Sequence, residues 1–196
     1  LTRMKLDLAL IGKNTDVSNL ENDVRNMEEM INSYINFAKE QNLDKRVSSD
    51  INKIVEQIIN EININEYNIE NELSFSKNYF VDPNSLKRCV SNLILNSLKY
   101  APNNGNKERV IIRIGSFESD KKINITIEDN GPGIPEQKYN EAFAPFNRLE
   151  ETTNLVGAGV GLGLTISKDI ARSHGGDLEL AKSDLGGLKA TIIIPI

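Results

Sequence analysis

Apolar residues recur along this chain at several spacings, and each spacing predicts a structural element. In residues 123–127 isoleucines alternate with polar residues, which predicts a strand with one buried face that leads to Asp129. In residues 20–38 apolar side chains recur in alternating steps of four and three, and residues 1–11 show a similar spacing before G-K-N-T-D interrupts it. Residues 1–42 are therefore predicted to form an antiparallel helical hairpin.

The predicted hairpin carries an apolar seam that it cannot bury by itself. The seam consists of Leu20, Val24, Met27, Ile31, Tyr34 and Ala38. Either of two partners would cover it: a second copy, giving a homodimer joined as a four-helix bundle, or the main domain of the same chain. The polar segment 43–49 is predicted to be a linker, and residues 50–196 are predicted to form the main domain.

Helical spacing returns at two places in the main domain. Three residues, Ser48, Ser49 and Asp50, offer an N-cap for a helix whose apolar face is formed by Ile51, Ile54, Val55, Ile58 and Ile59. Asp82 and Pro83 mark the start of a second helix, with a buried stripe of Leu86, Cys89, Val90, Leu93, Ile94 and Ser97. Short strands are predicted near Ile69, Leu73, Phe75 and residues 79–81, and residues 188–196 are predicted to close the sheet.

Two glycine-containing segments carry the candidate chemistry. The turn D-N-G-P-G-I follows the alternating strand, and the ladder G-A-G-V-G-L-G-L runs directly into a helical pattern. The first could be an ordinary hairpin turn and the second a flexible linker. A glycine-rich loop that enters a helix also presents free N–H groups to an anion, which favours phosphate as the ligand. The ladder matches neither the dinucleotide fingerprint nor the P-loop, because Leu162 replaces the third glycine and no G-K-S or G-K-T follows.

Composition narrows the classes of partner. The 196 residues carry a formal net charge of −5, which argues against a nucleic-acid surface because such surfaces need clustered Lys and Arg. A single cysteine, Cys89, excludes a disulfide within the chain, and its place in an apolar stripe predicts a buried thiol. No run of about eighteen apolar residues is present, so no transmembrane segment or signal peptide is predicted.

Two asparagines lie one turn apart in the second predicted helix. Asn92 and Asn96 are unfavourable in a helix interior, and Lys99 lies just beyond them. They could reflect the general richness of the chain in asparagine. A neutral amide oxygen also suits a magnesium ion that already bridges several phosphates, where a further carboxylate would repel the nucleotide.

Taken together, four segments resemble the N, G1, F and G2 boxes of sensor histidine kinases. They are S-N-L-I-L-N-S-L-K-Y, I-E-D-N-G-P-G-I-P, F-A-P-F-N-R and G-V-G-L-G-L-T-I-S, in that order. The resemblance covers residues 48–196 and implies an α+β fold of the Bergerat type, with a mixed sheet covered on one side by helices and ATP held beneath a lid. Gyrase and MutL-type ATPases share that fold.

The resemblance also implies roles for individual residues. Asn96 would ligate Mg²⁺, Asn92 and Lys99 would lie near the phosphates, and Tyr100 would lie beside the nucleotide. Asp129 would accept a hydrogen bond from the adenine amino group, a contact that guanine cannot make.

Further implied roles fall on the glycine segments and the lid. Gly131 and Gly133 would form a hinge, with Ile134 against the base, and Arg148 would reach the phosphates. Phe143 and Phe146 would anchor the lid, although plain core packing would also explain them. The cradle for phosphate would be formed by Gly159, Gly161 and Gly163, and the neighbouring ladder positions Val160, Leu162 and Leu164 would also bind the nucleotide. Val160 departs from the family, which often has a hydroxyl residue there.

The opening L-T-R-M-K resembles the end of the family's phosphoacceptor box, whose histidine would lie upstream of Leu1. The sole histidine, His174, precedes Gly175 at a predicted helix end and is expected to cap it. The expected function is ATP-dependent phosphoryl transfer to that upstream histidine and then to a response-regulator aspartate. The expected location is the cytoplasm, linked to the membrane only through a missing upstream segment. The alternatives are a nucleotide-gated interaction module and a conformational ATPase like gyrase or MutL.

Overall fold

The computed structural model describes the main domain in several stretches and a few positions of the hairpin. These are residues 45–62, 67–74, 77–100, 110–147 and 161–196, together with Leu20, Val24, Met27, Glu28 and Ile31. All five hairpin positions are helical, as predicted. Val24 is buried, whereas the other apolar members of the seam among them, Leu20, Met27 and Ile31, are about half exposed. Tyr34, Ala38 and residues 1–11 lie outside the described residues.

The main domain contains seven strands and four helices within the described residues. In chain order they are β1 (Val47–Asp50), α1 (Ile51–Glu61), β2 (Asn68–Leu73), β3 (Asn78–Val81), α2 (Pro83–Tyr100), β4 (Ile111–Ser119), β5 (Lys122–Asp129), a 3-10 turn (Glu136–Lys138), α3 (Tyr139–Ala142), α4 (Gly163–Ser173), β6 (Asp177–Lys182) and β7 (Leu188–Pro195).

Five of the strands form a mixed sheet in the order β2-β4-β5-β7-β6. β2 runs parallel to β4, and the remaining neighbours are antiparallel. Alternate residues of β4, β5 and β7 bury isoleucines in the same core as the apolar faces of α1, α2 and α4. The predicted α+β fold, a mixed sheet with helices packed on it, is confirmed.

The central strand β5 is buried on both faces, so the prediction of one buried face was wrong. Ile123, Ile125 and Ile127 point into the core, but the alternate polar residues are also nearly inaccessible. Glu128, for example, accepts a hydrogen bond from Ser183 Oγ at 2.9 Å and lies 3.0 Å from Lys189 Nζ. Hydrogen bonds and neighbouring strands on each side allow these polar side chains to be buried.

The predicted linker 43–49 is also partly wrong. Val47–Asp50 forms β1, which pairs antiparallel with β3 in a separate two-stranded sheet. The residues V-S-S-D show no alternation of apolar and polar positions, so they do not predict a strand. The strand forms by pairing with a segment far along the chain. Of the three predicted cap candidates, Asp50 caps α1, because its Oδ1 accepts the N–H of Asn52 at 3.0 Å and of Lys53 at 3.3 Å.

Helix α2 buries the six residues that its periodicity predicted. Cys89 contacts α4, where its Sγ donates to the carbonyl of Ser167 at 3.5 Å. Burial raises the pKa of the Cys89 thiol to about 12, so the reactive thiolate is scarce at neutral pH. The predicted buried thiol is confirmed.

Helix α4 ends at the predicted cap. Gly175 has a φ of +83°, and the N–H groups of Gly175 and Gly176 donate to Arg172 and Ala171 of the last turn. His174 is buried: its Nε2 accepts the N–H of Asp82 at 3.0 Å, and its Nδ1 lies 2.8 Å from the carbonyl of Ile170. Nδ1 therefore carries the proton, and the neutral ring joins the end of α4 to the start of α2.

Candidate functional site

A cavity of about 340 Å³ opens between α2, the segment after β5 and the start of α4. Its size suits a small-molecule ligand. Its polar lining includes one acidic side chain, Asp129, and two basic ones, Lys99 and Lys138. The apolar lining comes from Leu93, Ile127, Pro132, Ile134, Pro135, Ala142, Leu164, Leu188 and Ala190.

Asp129 forms the floor of the cavity at the end of β5 and is 5% exposed. Its Oδ1 accepts two backbone N–H groups, from Gly131 at 2.9 Å and from Leu188 at 3.2 Å. Its Oδ2 accepts the hydroxyl of Ser97 at 3.0 Å. Three donors thus hold the carboxylate in one orientation, and one acceptor position of Oδ2 is left beside the cavity.

The turn between β6 and β7 packs directly against this floor. Gly187 lies so close that a Cβ placed on it would stand 2.1 Å from Asp129 Oδ1 and 2.5 Å from the Gly131 nitrogen. The Gly187 N–H donates to the Asp129 carbonyl at 3.1 Å. On the other side of β5, Glu128 holds Ser183 of the same turn. Asp129 and Glu128, which are adjacent in β5, therefore contact the same turn from opposite faces of the strand.

The other end of the cavity meets the start of α4. Leu162 occupies the N-cap without a side-chain cap bond, so the first-turn amides of Gly163 and Leu164 have no partner within the helix. Both residues line the cavity, as does Gly161 with a φ of +76°. A Cβ on Gly163 would stand 3.2 Å from the Asn96 side-chain nitrogen. Amides without a partner in the part of the chain that the structure describes, the positive helix end and a neutral amide side chain therefore converge here.

Most of the described residues predicted for the site line this cavity. They are Asn96, Lys99, Tyr100, Asp129, Gly133, Ile134, Gly161, Gly163 and Leu164. Asn92, Gly131 and Leu162 are not among the lining residues, although Gly131 holds Asp129 through its N–H. Arg148, Gly159 and Val160 lie outside the described residues.

The segment D-N-G-P-G is not a hairpin turn, because it does not join two neighbouring strands. It leads from β5 into the 3-10 turn and α3. Gly133 has a φ of +69°, and a Cβ there would stand 3.1 Å from the carbonyl oxygen of Gly187. Glycine is needed at this position because a side chain would be both strained and crowded.

The two predicted lid phenylalanines differ in their surroundings. Phe143 packs against the core, and its carbonyl accepts the Thr165 hydroxyl at 2.9 Å. The Lys168 ammonium lies 3.8 Å from its ring centroid, so Phe143 is tied to α4. Phe146 is 53% exposed, which rules out plain core packing, and its N–H donates to the Gly161 carbonyl at 3.1 Å.

Sequence reasoning missed several lining residues. Ser97 was assigned only to the buried stripe, and Leu188 and Ala190 only to a closing strand. Gly187 was not singled out, although the paired glycines after Leu185 marked a turn. Ser97, Leu188 and Ala190 line the cavity and Gly187 packs against Asp129, in each case through contacts between distant segments that no local pattern reveals.

The sequence model described as "Histidine kinase-, DNA gyrase B-, and HSP90-like ATPase" matches residues 81–196, which contain the whole cavity lining. The chain belongs to this ATPase family. The histidine kinase domain of the E. coli osmosensor EnvZ is 30% identical, with a TM-score of 0.57, and the match covers 80% of this chain and 91% of that domain. The resemblance to sensor histidine kinases is therefore confirmed.

Two relatives that are longer than this chain are named as sensor histidine kinases. Sensor histidine kinase GtrS of Pseudomonas aeruginosa is 29% identical over 100% of this chain and 39% of its own length. Sensor histidine kinase CpxA of Escherichia coli is 26% identical over 100% of this chain and 44% of its own length. The chain thus spans less than half the length of these relatives. None of the helices in the described part of the chain is long and apolar enough to cross a membrane.

A solved structure extends the likeness in fold beyond the ATPase domain. The Acinetobacter baumannii histidine kinase AdeS has a TM-score of 0.67 at 20% identity, over 97% of this chain and 91% of that chain. At this identity the match speaks for the fold alone.

Proposed function

We propose that this chain is the ATP-binding catalytic part of a sensor histidine kinase and that its cavity holds ATP with Mg²⁺. The supporting observation is the polarity of the cavity: a buried carboxylate, Asp129, stands at one end and the first-turn amides of α4, which have no partner within the helix, stand at the other. A carboxylate suits the exocyclic amino group of adenine, and a helix N-terminus suits phosphate. Adenine would therefore lie over Asp129 with the triphosphate directed toward Gly161 and Gly163.

Asn96 is the proposed protein ligand of Mg²⁺. Its side chain lies against Gly163, beside the amides that would hold phosphate. The described residues contain no group of three or more His, Cys, Asp or Glu side chains that could hold a metal ion. A hard cation at this place would therefore take most of its oxygen ligands from the nucleotide and water, which is the usual situation for Mg²⁺. Mg²⁺ would neutralise charge on the phosphates during transfer.

Lys99 and Lys138 add positive charge to the lining. The contribution of these residues to phosphoryl transfer is positioning and charge stabilisation, since the reaction requires little covalent chemistry from the protein. Arg148, Gly159 and Val160 keep their proposed phosphate contacts from the sequence resemblance, as do Asn92 and Leu162. The acceptor is a histidine outside these 196 residues, and the phosphoryl group then passes to a response-regulator aspartate.

His174 is unsuited to be the acceptor. It is buried, and both ring nitrogens are engaged, with Asp82 N–H and with the Ile170 carbonyl. We further propose that the helical hairpin of residues 1–42 joins two copies as a homodimer. A segment outside these residues would link the intact protein to the cytoplasmic face of the membrane.

The proposed activity can be tested by rebuilding the acceptor. His-Glu-Leu-Arg-Thr-Pro is fused ahead of Leu1, which restores the phosphoacceptor box that L-T-R-M-K resembles. With radiolabelled ATP and Mg²⁺ we expect acid-labile phosphate on the added histidine and none on the unextended chain. The same extension with alanine in place of its histidine is the matched control. ATP binding without transfer would contradict kinase activity and favour the nucleotide-gated module, whereas label on His174 would contradict the assignment of the acceptor to the added histidine.

Asn96→Ala is expected to lower ATP affinity in the presence of Mg²⁺ while leaving affinity in EDTA nearly unchanged. The reason is that the substitution removes the only metal contact proposed for the protein. Because Asn96 is only partly buried, the free energy of unfolding should change by less than about 1 kcal/mol. Calorimetric titration with and without Mg²⁺ measures the difference. An equal loss under both conditions would remove Asn96 from the metal site.

A further inference from the structure

We infer that Ser97 determines base selectivity, by making the cavity floor a surface that presents only hydrogen-bond acceptors at the point where position 6 of a purine would lie. This inference rests on the proposed function. Ser97 lines the cavity, is 5% exposed and donates its hydroxyl to Asp129 Oδ2 at 3.0 Å. Nothing in the sequence pattern distinguished it from the apolar residues of its helix stripe.

Most hydrogen-bonding positions on the cavity floor are already occupied by groups of the protein. Oδ1 of Asp129 is saturated by the N–H groups of Gly131 and Leu188. On Oδ2, Ser97 takes one acceptor position and leaves one. A hydroxyl has a single proton, and that of Ser97 is directed to the carboxylate, so only its lone pairs remain for a ligand. A ligand above the floor therefore finds acceptors on both Asp129 Oδ2 and Ser97 Oγ.

An exocyclic amino group satisfies such a floor, whereas a carbonyl does not. Adenine offers N–H donors at position 6 and pairs with the free acceptor site. Hypoxanthine and guanine place a carbonyl oxygen there, so lone pairs would face lone pairs in a nearly dry site. Discrimination against an unpaired buried polar group is stronger than discrimination by fit alone.

Asp129 without Ser97 would discriminate less strongly between an amino group and a carbonyl at position 6 of the base. Without the Ser97 hydroxyl, Oδ2 would keep two acceptor positions, and the vacated space beside it would suit a water molecule with several polar neighbours. A water can donate to the carboxylate and also donate to a carbonyl at position 6 of the base. Ser97 removes this adaptability because its one donor is already used. It acts on the base through the carboxylate and through the water that it excludes, and it is thus a positioning residue.

Three nucleoside triphosphates separate this role from ordinary packing. ATP carries an amino group at position 6, ITP carries a carbonyl, and purine riboside triphosphate carries only hydrogen. For the unaltered chain we expect ATP to bind most tightly and ITP most weakly. For Ser97→Ala we expect the ratio of ATP affinity to ITP affinity to fall about tenfold, because ATP keeps its contact with Asp129 Oδ2 whereas ITP gains a hydrogen bond through water. Affinity for purine riboside triphosphate should be unchanged.

Matched variants control for stability. Ser97→Thr keeps the hydroxyl and should restore the preference for ATP over ITP, and Ser97→Cys, with its weak S–H donor, should give an intermediate ratio. Ser167→Ala serves as a control in α4, because Ser167 is equally buried and donates to the Cys89 carbonyl at 3.4 Å away from the cavity. It should lower the thermal midpoint without changing the ATP-to-ITP ratio.

Each remaining outcome is decisive. If Ser97→Ala changes the affinities for all three nucleotides by the same factor, or changes none of them, Ser97 is a packing residue and the inference is wrong. If Ser97→Ala does not fold, the unaltered chain still provides the test, because equal affinity for ATP and ITP would overturn an acceptor-only floor. Failure of the unaltered chain to bind any of the three would overturn the proposed function itself, which is a different result.

Discussion

Alanine in place of Gly187 is expected to abolish nucleotide binding and to lower the free energy of unfolding by about 2–4 kcal/mol. A Cβ at this position would stand 2.1 Å from Asp129 Oδ1, 2.5 Å from the Gly131 nitrogen and 2.6 Å from the Asp129 carbonyl oxygen. Two of these three atoms belong to backbone, so the turn as a whole would have to move away from β5. Calorimetric titration with ATP and urea denaturation measure the two effects.

The neighbouring glycine offers a matched control. Gly186 has a φ of +110°, but a Cβ there would have no heavy atom within 4 Å. Gly186→Ala should therefore cost only about 1–2 kcal/mol through backbone strain and should retain ATP binding. If the two alanine variants behave alike, the close packing of Gly187 against Asp129 is not what holds the site together.

Asp129→Ala is expected to weaken ATP binding by about 1–3 kcal/mol, since a buried hydrogen bond to the base is lost. It should also destabilise the domain by about 3 kcal/mol, because the donors of Gly131, Leu188 and Ser97 would lose their acceptor in a buried place. This loss of stability does not depend on the nucleotide. Denaturant titration of the nucleotide-free protein therefore measures it separately from the loss of the base contact.

Asp129→Asn separates the two effects. The amide oxygen can keep the two backbone N–H groups on the Oδ1 side, but the amide nitrogen would face the Ser97 hydroxyl and the base. We expect stability close to that of the unaltered chain and a reversed preference, with ITP binding at least as well as ATP. A retained preference for ATP in this variant would show that the base is recognised elsewhere.

Helix α2 shows how much the sequence determines locally. Its start at Pro83 and its buried stripe follow from 3.6-residue periodicity and capping chemistry, which act within a few residues. The end of β5 at Asp129 was predictable in the same way, although burial on both faces of that strand was not. β1 escaped prediction because its stability comes from pairing with β3. A strand that is stabilised by pairing with a distant segment does not need an alternating hydrophobic pattern in its own sequence.

The candidate site was predictable where motifs place single residues on the cavity lining. It was not predictable where residues meet one another. Asn96, Asp129 and Gly163 follow from motifs, since the chemistry requires particular residue types at particular spacings. Ser97 and Leu188 contact Asp129 across 32 and 59 positions of the chain, respectively. Serine in a buried stripe and leucine in a closing strand have many ordinary explanations, so their roles emerge only after folding brings the segments together.

The contacts between the end of β5 and the turn before β7 also have a consequence during biosynthesis. The floor of the cavity is completed by Leu188 and Ala190, with Gly187 packed against Asp129, and all three leave the ribosome after Asp129 because they follow it by 58 to 61 positions. A nascent chain that ends before them has Asp129 but lacks the N–H of Leu188 that orients it. Cellular ATP can therefore stabilise only the finished domain, by about 2.7 kcal/mol at a hundred times Kd, and cannot guide the folding of earlier intermediates.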